Sequence, residues 1–146
     1  MLNLFAEIFE RDLNKLIGEL KAYPDESLIW KTADGISNSA GNLTLHLIGN
    51  LNFMIGVTLG NSGYVRDRER EFSAKNISVR QMVDELNNTI LVVKKTLEDL
   101  PEEGLEKEFP VPINNKISTV QFILIHLISH FGYHLGQINY HRRLLT

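Results

Sequence analysis

The chain has 146 residues, with 15 basic against 18 acidic side chains and a formal charge of −3, which suits one buried core and offers no nucleic-acid footprint or polybasic membrane patch. It contains no cysteine, which excludes disulfides, thiolate nucleophiles, iron–sulfur clusters and cysteine-based zinc motifs and leaves nitrogen and oxygen as the only metal ligands. Glu7, Glu10 and Asp12 interrupt the apolar pattern of the N-terminal run, unlike a secretory signal, and no apolar stretch approaches the roughly 20 residues of a membrane span; a single domain over residues 1–146, soluble and cytoplasmic, is expected.

Four stretches carry helical periodicity, and the segments between them hold the Pro, Gly, Asn and Ser that break helices. In the first, Leu4, Phe5, Ile8, Leu13, Leu16, Ile17 and Leu20 recur at three- and four-residue steps before Pro24, predicting a helix over 2–23. The second helix is predicted from Ser39 to Gly60, before the turn-prone Asn61-Ser62-Gly63. It is apolar on nearly every side, which marks it as central to the packing, and Gly49 and Gly56 would allow a neighbour to approach one face. The third and fourth helices open with Ser78-Val79-Arg80-Gln81 and Ser118-Thr119-Val120-Gln121, each fitting a Ser-x-x-Gln capping box. From 79 to 100 the third carries a stripe of Val79, Val83, Leu86, Ile90, Val93, Leu97 and Leu100, the spacing of a bundle helix. The loops at 24–38 and 61–77 are long, and 101–117 includes the extended run Phe109-Pro110-Val111-Pro112-Ile113. The expected class is all-α, a four-helix bundle.

Of five histidines, His126, His130, His134 and His141 fall in the last helical stretch. Each four-residue step advances only about 40° around the axis and rises about 6 Å, so the first three form a ladder, and His130 and His134 can bite one ion from the same face. The second helix draws a matching polar stripe through Asn42, His46 and Asn50. Polar stripes on two buried helices are expected to face one another, because unpaired polar groups in a core are costly. His46, His130 and His134 would then bring three imidazoles to one ion and leave coordination positions open, the layout of a catalytic metal site. Asn42, Asn50, His126 and Gln137 are candidates for the outer hydrogen bonds that fix the rings. The plainer reading is a set of core histidines satisfied by one another and by neighbouring amides, without metal. His141 is expected near solvent and outside the site, and Tyr133 and Tyr140 are expected to pack.

The run His130-Phe131-Gly132-Tyr133-His134-Leu135-Gly136-Gln137 resembles the HxxxHxGQ signature in the last helix of the DinB-like family. Residues 38–47 and the charged run Arg66-Asp67-Arg68-Glu69-Arg70-Glu71-Phe72 resemble an uncharacterised subgroup of it, and the resemblance covers essentially the whole chain. It implies an up-down-down-up four-helix bundle, often a homodimer, with His46, His130 and His134 as metal-binding histidines. It also implies a divalent ion, zinc or nickel first, with iron or manganese as alternatives. Some relatives transfer low-molecular-weight thiols such as bacillithiol or mycothiol, and another isomerises maleylpyruvate.

The leading functional expectation is a metal-dependent small-thiol S-transferase, in which the ion activates a thiol and no protein nucleophile is required. Arg66, Arg68 and Arg70 are candidates for binding the thiol's carboxylate, against the reading of that run as a solvated, self-paired segment. A metal-dependent hydrolase would need a carboxylate base from a loop or from the first or third helix. A non-enzymatic metal-binding bundle is the third reading.

Overall fold

The computed structural model describes residues 1–146 and is helical throughout, with no strand beyond isolated bridges. Four long elements, α1 (Leu2–Lys21), α2 (Ala40–Leu51), α4 (Val79–Asp99) and α5 (Val120–Leu145), are joined by loops that carry a six-residue helix α3 (Arg68–Ser73) and 3-10 turns at Glu26–Trp30 and Glu102–Glu106. One cluster of 31 buried apolar residues forms the core. No helix is long and apolar enough to cross a membrane.

In α1 the buried seam runs Leu2, Phe5, Phe9, Leu13, Leu16 and Leu20. Phe5, Leu13, Leu16, Ile17 and Leu20 of the predicted stripe are buried, while Leu4 is mostly exposed and Leu2 and Phe9, with its large apolar surface to bury, complete the seam. The helix ends at Lys21, two residues early, and Tyr23 turns inward to meet α5.

Ser39 caps α2 by accepting from the Asn42 amide at 3.1 Å. The helix does not run on regularly to Gly60. It loosens into a π-helical segment over Asn52–Val57, where the Asn52 side chain donates to the Ile48 carbonyl and across to Thr89 Oγ1 on α4, both at 2.8 Å. A side chain reaching into the carbonyl ladder is a recognised cause of such widening.

Ser78 caps α4 as its sequence predicts, accepting from the Gln81 amide, and Met82, Thr89 and Thr96 widen its buried stripe. For α5 the cap is Thr119 rather than Ser118. The Ser118 carbonyl is committed to the Phe109 amide at 2.7 Å, and Glu108 bridges Thr119, so the extended run pins the chain there and the Thr119 hydroxyl meets the Phe122 amide instead.

Helix α1 packs on α4 and α5, and α2 packs on the same two. Contacts across α2 and α4 advance together, Asn52 with Thr89 and Gly56 with Val92, then Gly60 with Thr96. Across α1 and α4 they run oppositely, from Met1 with Glu102 just past α4 to Glu10 with Lys94. The loop leaving the far end of α2 therefore returns along the molecule, and α3 lies against α2 beside His46.

Candidate metal centre

His46 projects from the middle of α2 toward α5, where His130 and His134 stand one turn apart. One nitrogen from each ring lies within 4.8 Å of the others, and each residue is half-buried. His46 Nε2 is 3.2 Å from His130 Nε2. Two imidazole nitrogens sharing one tetrahedral ion at 2.0–2.1 Å would sit roughly 3.3 Å apart, so this pair already has ligand spacing. The ring centroids of His130 and His134 are 4.6 Å apart and nearly perpendicular, as are those of His46 and His134 at 5.4 Å.

Each outer nitrogen tells how its ring is held. His46 Nδ1 lies 3.0 Å from Glu71 Oε1. The carboxylate only accepts, so Nδ1 carries the proton and Nε2 keeps its lone pair for the cluster. The longer 3.5 Å approach of Arg66 Nη2 to the same nitrogen sets donor against donor and contributes no bond. His134 Nδ1 donates to Gln137 Oε1 at 2.7 Å, which frees its other nitrogen in the same way. His130 Nδ1 is buried with no partner, so the ring's one polar contact is on the cluster side.

Burial keeps two of these imidazoles, His130 and His46, in the form that can bind a metal. Burial pushes His130 down to about 4, helped by His134, His46, His126 and Arg66. Burial also lowers His46, against the opposing pull of Glu71. Both are therefore neutral at pH 7, with lone pairs available to a cation.

Glu71 is the residue that sequence reasoning missed. Its side chain is 4% exposed, and Arg66 clamps it in a two-pronged contact, Nε to Oε2 at 2.8 Å and Nη2 to Oε1 at 3.0 Å, the bidentate geometry in which a guanidinium holds a carboxylate most firmly. The carboxylate rests directly on Gly49, where an added Cβ would collide with it. That glycine, three residues after His46 and therefore on the same helical face, is the one sequence signal that could have pointed to a group seated beside the histidine.

The remaining candidates separate clearly. Asn42 touches no histidine. Its amide donates to the Glu71 and Ala74 carbonyls at 3.0 and 2.9 Å while its oxygen accepts from Ser39 Oγ at 2.7 Å, so it anchors α3 and thereby Glu71. Asn50 makes no such bond, and its Oδ1 is buried without a partner. His126 is exposed, its ring stacked 6.4 Å from that of His130. Gln137 serves His134 as described. Arg66 is spent on Glu71, Arg70 leans toward Glu85 at 3.7 Å, and Arg68 is exposed, so the run forms no cluster of free guanidinium groups.

Two expectations outside the triad are corrected. His141 is buried, not solvated, held between the Tyr23 hydroxyl at 2.6 Å and the Lys31 carbonyl at 2.8 Å. Tyr133 and Tyr140 do not pack inward; they are 67% and 63% exposed, because α5 leaves one flank uncovered. Trp30 is a plug, its ring lying flat against Gly41 at the start of α2.

An all-helical chain with three converging imidazoles and a buried carboxylate behind one of them defines a helical histidine-site protein. The model of a protein family described as "Protein of unknown function (DUF1572)" matches residues 3–146, and the chain belongs to that family, which lies within the DinB-like group. Among curated proteins none matches it.

Proposed function

We propose that this protein is a metal-dependent enzyme that holds one divalent ion, zinc or nickel first, on His46, His130 and His134 and transfers a small thiol to an electrophile. The observation that carries this reading is the convergence of three imidazoles with no carboxylate among them, which would leave positions on an ion for outside ligands. The bound ion would supply the Lewis acidity that makes a small thiol nucleophilic at neutral pH. The chain's own residues fix the rings, through Glu71 on His46 and Gln137 on His134. Hydrolysis fits less well, because both Glu71 oxygens are engaged by Arg66 and His46 rather than free to take a proton from water. A purely structural ion fits less well too, since a pocket of about 330 Å³ opens beside His134. A cytoplasmic setting, where small thiols stay reduced, suits this chemistry.

The reading extends to architecture. Parallel α2 and α4, antiparallel α1 and α4, and α2 meeting α5 through His46 and His130 support an up-down-down-up bundle. A homodimer is proposed through the uncovered flank of α5, where exposed Phe122, Ile125, Tyr133 and Tyr140 fall within about 80° of the helical wheel. Ile125→Glu should convert a dimer to a monomer by light scattering, and a wild-type monomer would remove that part of the proposal.

The test of function is thioether formation from small thiols and chlorodinitrobenzene by the zinc- or nickel-loaded protein. Acceleration that disappears in His130→Ala/His134→Ala supports transfer. Equal rates with the loaded wild type and with free metal contradict it.

A further inference from the structure

The pocket beside His134 has a chemical character of its own. One wall is the turn at residues 33–38, closed by the Ile36 amide on the Ala33 carbonyl at 2.9 Å and turned by Gly35 at φ +81°. The opposite wall is the C-terminal half of α5, and Leu43 of α2 forms the floor. None of the ten lining residues is Asp, Glu, Lys or Arg.

The two lining histidines have their ring nitrogens engaged within the protein. His134 gives its Nδ1 proton to Gln137 and keeps its other nitrogen for the metal cluster. His141 donates from Nε2 to the Lys31 carbonyl and accepts at Nδ1 from the Tyr23 hydroxyl, so a ligand meets only the ring. Of the arginines in the last turn of α5, Arg142 is paired with Glu19 at 2.7 Å and Arg143 lies over the Tyr140 ring at 5.2 Å, outside the lining. With its oxygen held by His134, the Gln137 side chain has only its NH2 donors left. Leu43 and Leu144 supply apolar surface.

We propose that this pocket binds the electrophile of the reaction, and that the electrophile is an uncharged, partly apolar molecule with a carbonyl-type acceptor directed at Gln137. This rests on the three-histidine metal reading only in assigning the ligand a role; the pocket's selectivity stands on its lining. His134 links the two, lining the pocket and contributing to the triad. At about 330 Å³ the space is at the small end of ligand pockets. The lining itself offers a carboxylate no Lys or Arg to pair with, and burial of an unpaired charge is strongly disfavoured.

Benzamide, benzoate and benzylamine test this as probes of equal size and different charge. In spectra of metal-free and zinc-loaded protein, benzamide should shift the Leu43 and Leu144 methyl signals and the Gln137 side-chain amide, and in the metal-free protein, where no ion can ligate them, the charged probes should bind at least roughly tenfold more weakly. Ser37→Trp, placed on the exposed turn, should abolish the benzamide shifts while zinc content and helicity stay at wild-type values. Equal or tighter binding of benzoate or benzylamine to the metal-free protein, no benzamide shifts at these groups, or shifts unaffected by Ser37→Trp would each overturn the proposal. Protein that takes up no zinc yet shows the benzamide pattern would refute the metal reading, and with it the ligand's role as electrophile, and leave the pocket's selectivity standing. Protein with one zinc per chain and no benzamide pattern would do the reverse.

Discussion

Glu71 acts on the candidate metal centre through another residue. By accepting the Nδ1 proton of His46 it fixes which nitrogen faces the cluster, and it can do so only because Gly49 leaves room for its carboxylate and Arg66 neutralises it. Two glycine substitutions separate this role from ordinary helix propensity. At Gly18 of α1 nothing lies within 4 Å of an added Cβ, so Gly18→Ala should stabilise the protein by about 0.5–1 kcal/mol. Gly49→Ala should instead displace Glu71, lower the melting temperature and weaken zinc affinity by roughly 10- to 100-fold, the usual cost of losing a ligand's hydrogen-bond partner. Calorimetry on both variants reads this directly, and a stabilised Gly49→Ala with unchanged affinity would contradict it. The histidine triad was legible because four-residue spacing on two buried helices leaves few places for three imidazoles to go. Glu71 was not, because it sits in a run of alternating charge that reads equally well as solvated surface.

At the scale of elements, α3 is a short helix kept in place by side chains more than by its own length. Six residues make too few turns to be stable alone, and Asn42 supplies two of the bonds that hold α3 to α2. Asn42→Ala should therefore speed amide exchange across 68–74 while the cores of α1, α4 and α5 keep their protection, with weaker zinc binding as the secondary effect. Uniform protection across α3 in the variant would show that other contacts hold it. Sequence located the long helices well, since each has a cap, a breaker or an apolar period to mark it. It did not reveal α3, whose charged residues carry no apolar period, nor the π-helical segment, which depends on Asn52 meeting Thr89 across a tertiary contact. The α5 cap moved by one residue for a similar reason, the pairing of Ser118 with Phe109.

For the whole molecule, the buried imidazoles couple stability to pH. A histidine lowered from 6.5 to about 4, as His130 is, binds its proton more readily in the unfolded chain. Its contribution to metal-free stability is complete above the unfolded value, erodes as pH falls from 6.5 and is fully lost below about 4; the lowering of His46 acts in the same direction. Denaturant titrations should accordingly show stability falling across that window, with His130→Gln flattening the fall. A curve for His130→Gln parallel to wild type would assign the loss to other groups. Bound metal should hold the same window open to lower pH, because protons and the ion compete for the same lone pairs.

The most direct test of the central claim, that His46, His130 and His134 hold one divalent ion, is elemental analysis by plasma mass spectrometry on untagged protein purified without chelators, beside His130→Ala/His134→Ala. About one divalent ion per chain, lost in the variant while the helical signal persists, is the predicted result. Metal-free wild type that gains no thermal stability from zinc, nickel or manganese would contradict it and leave the three histidines as residues of the core.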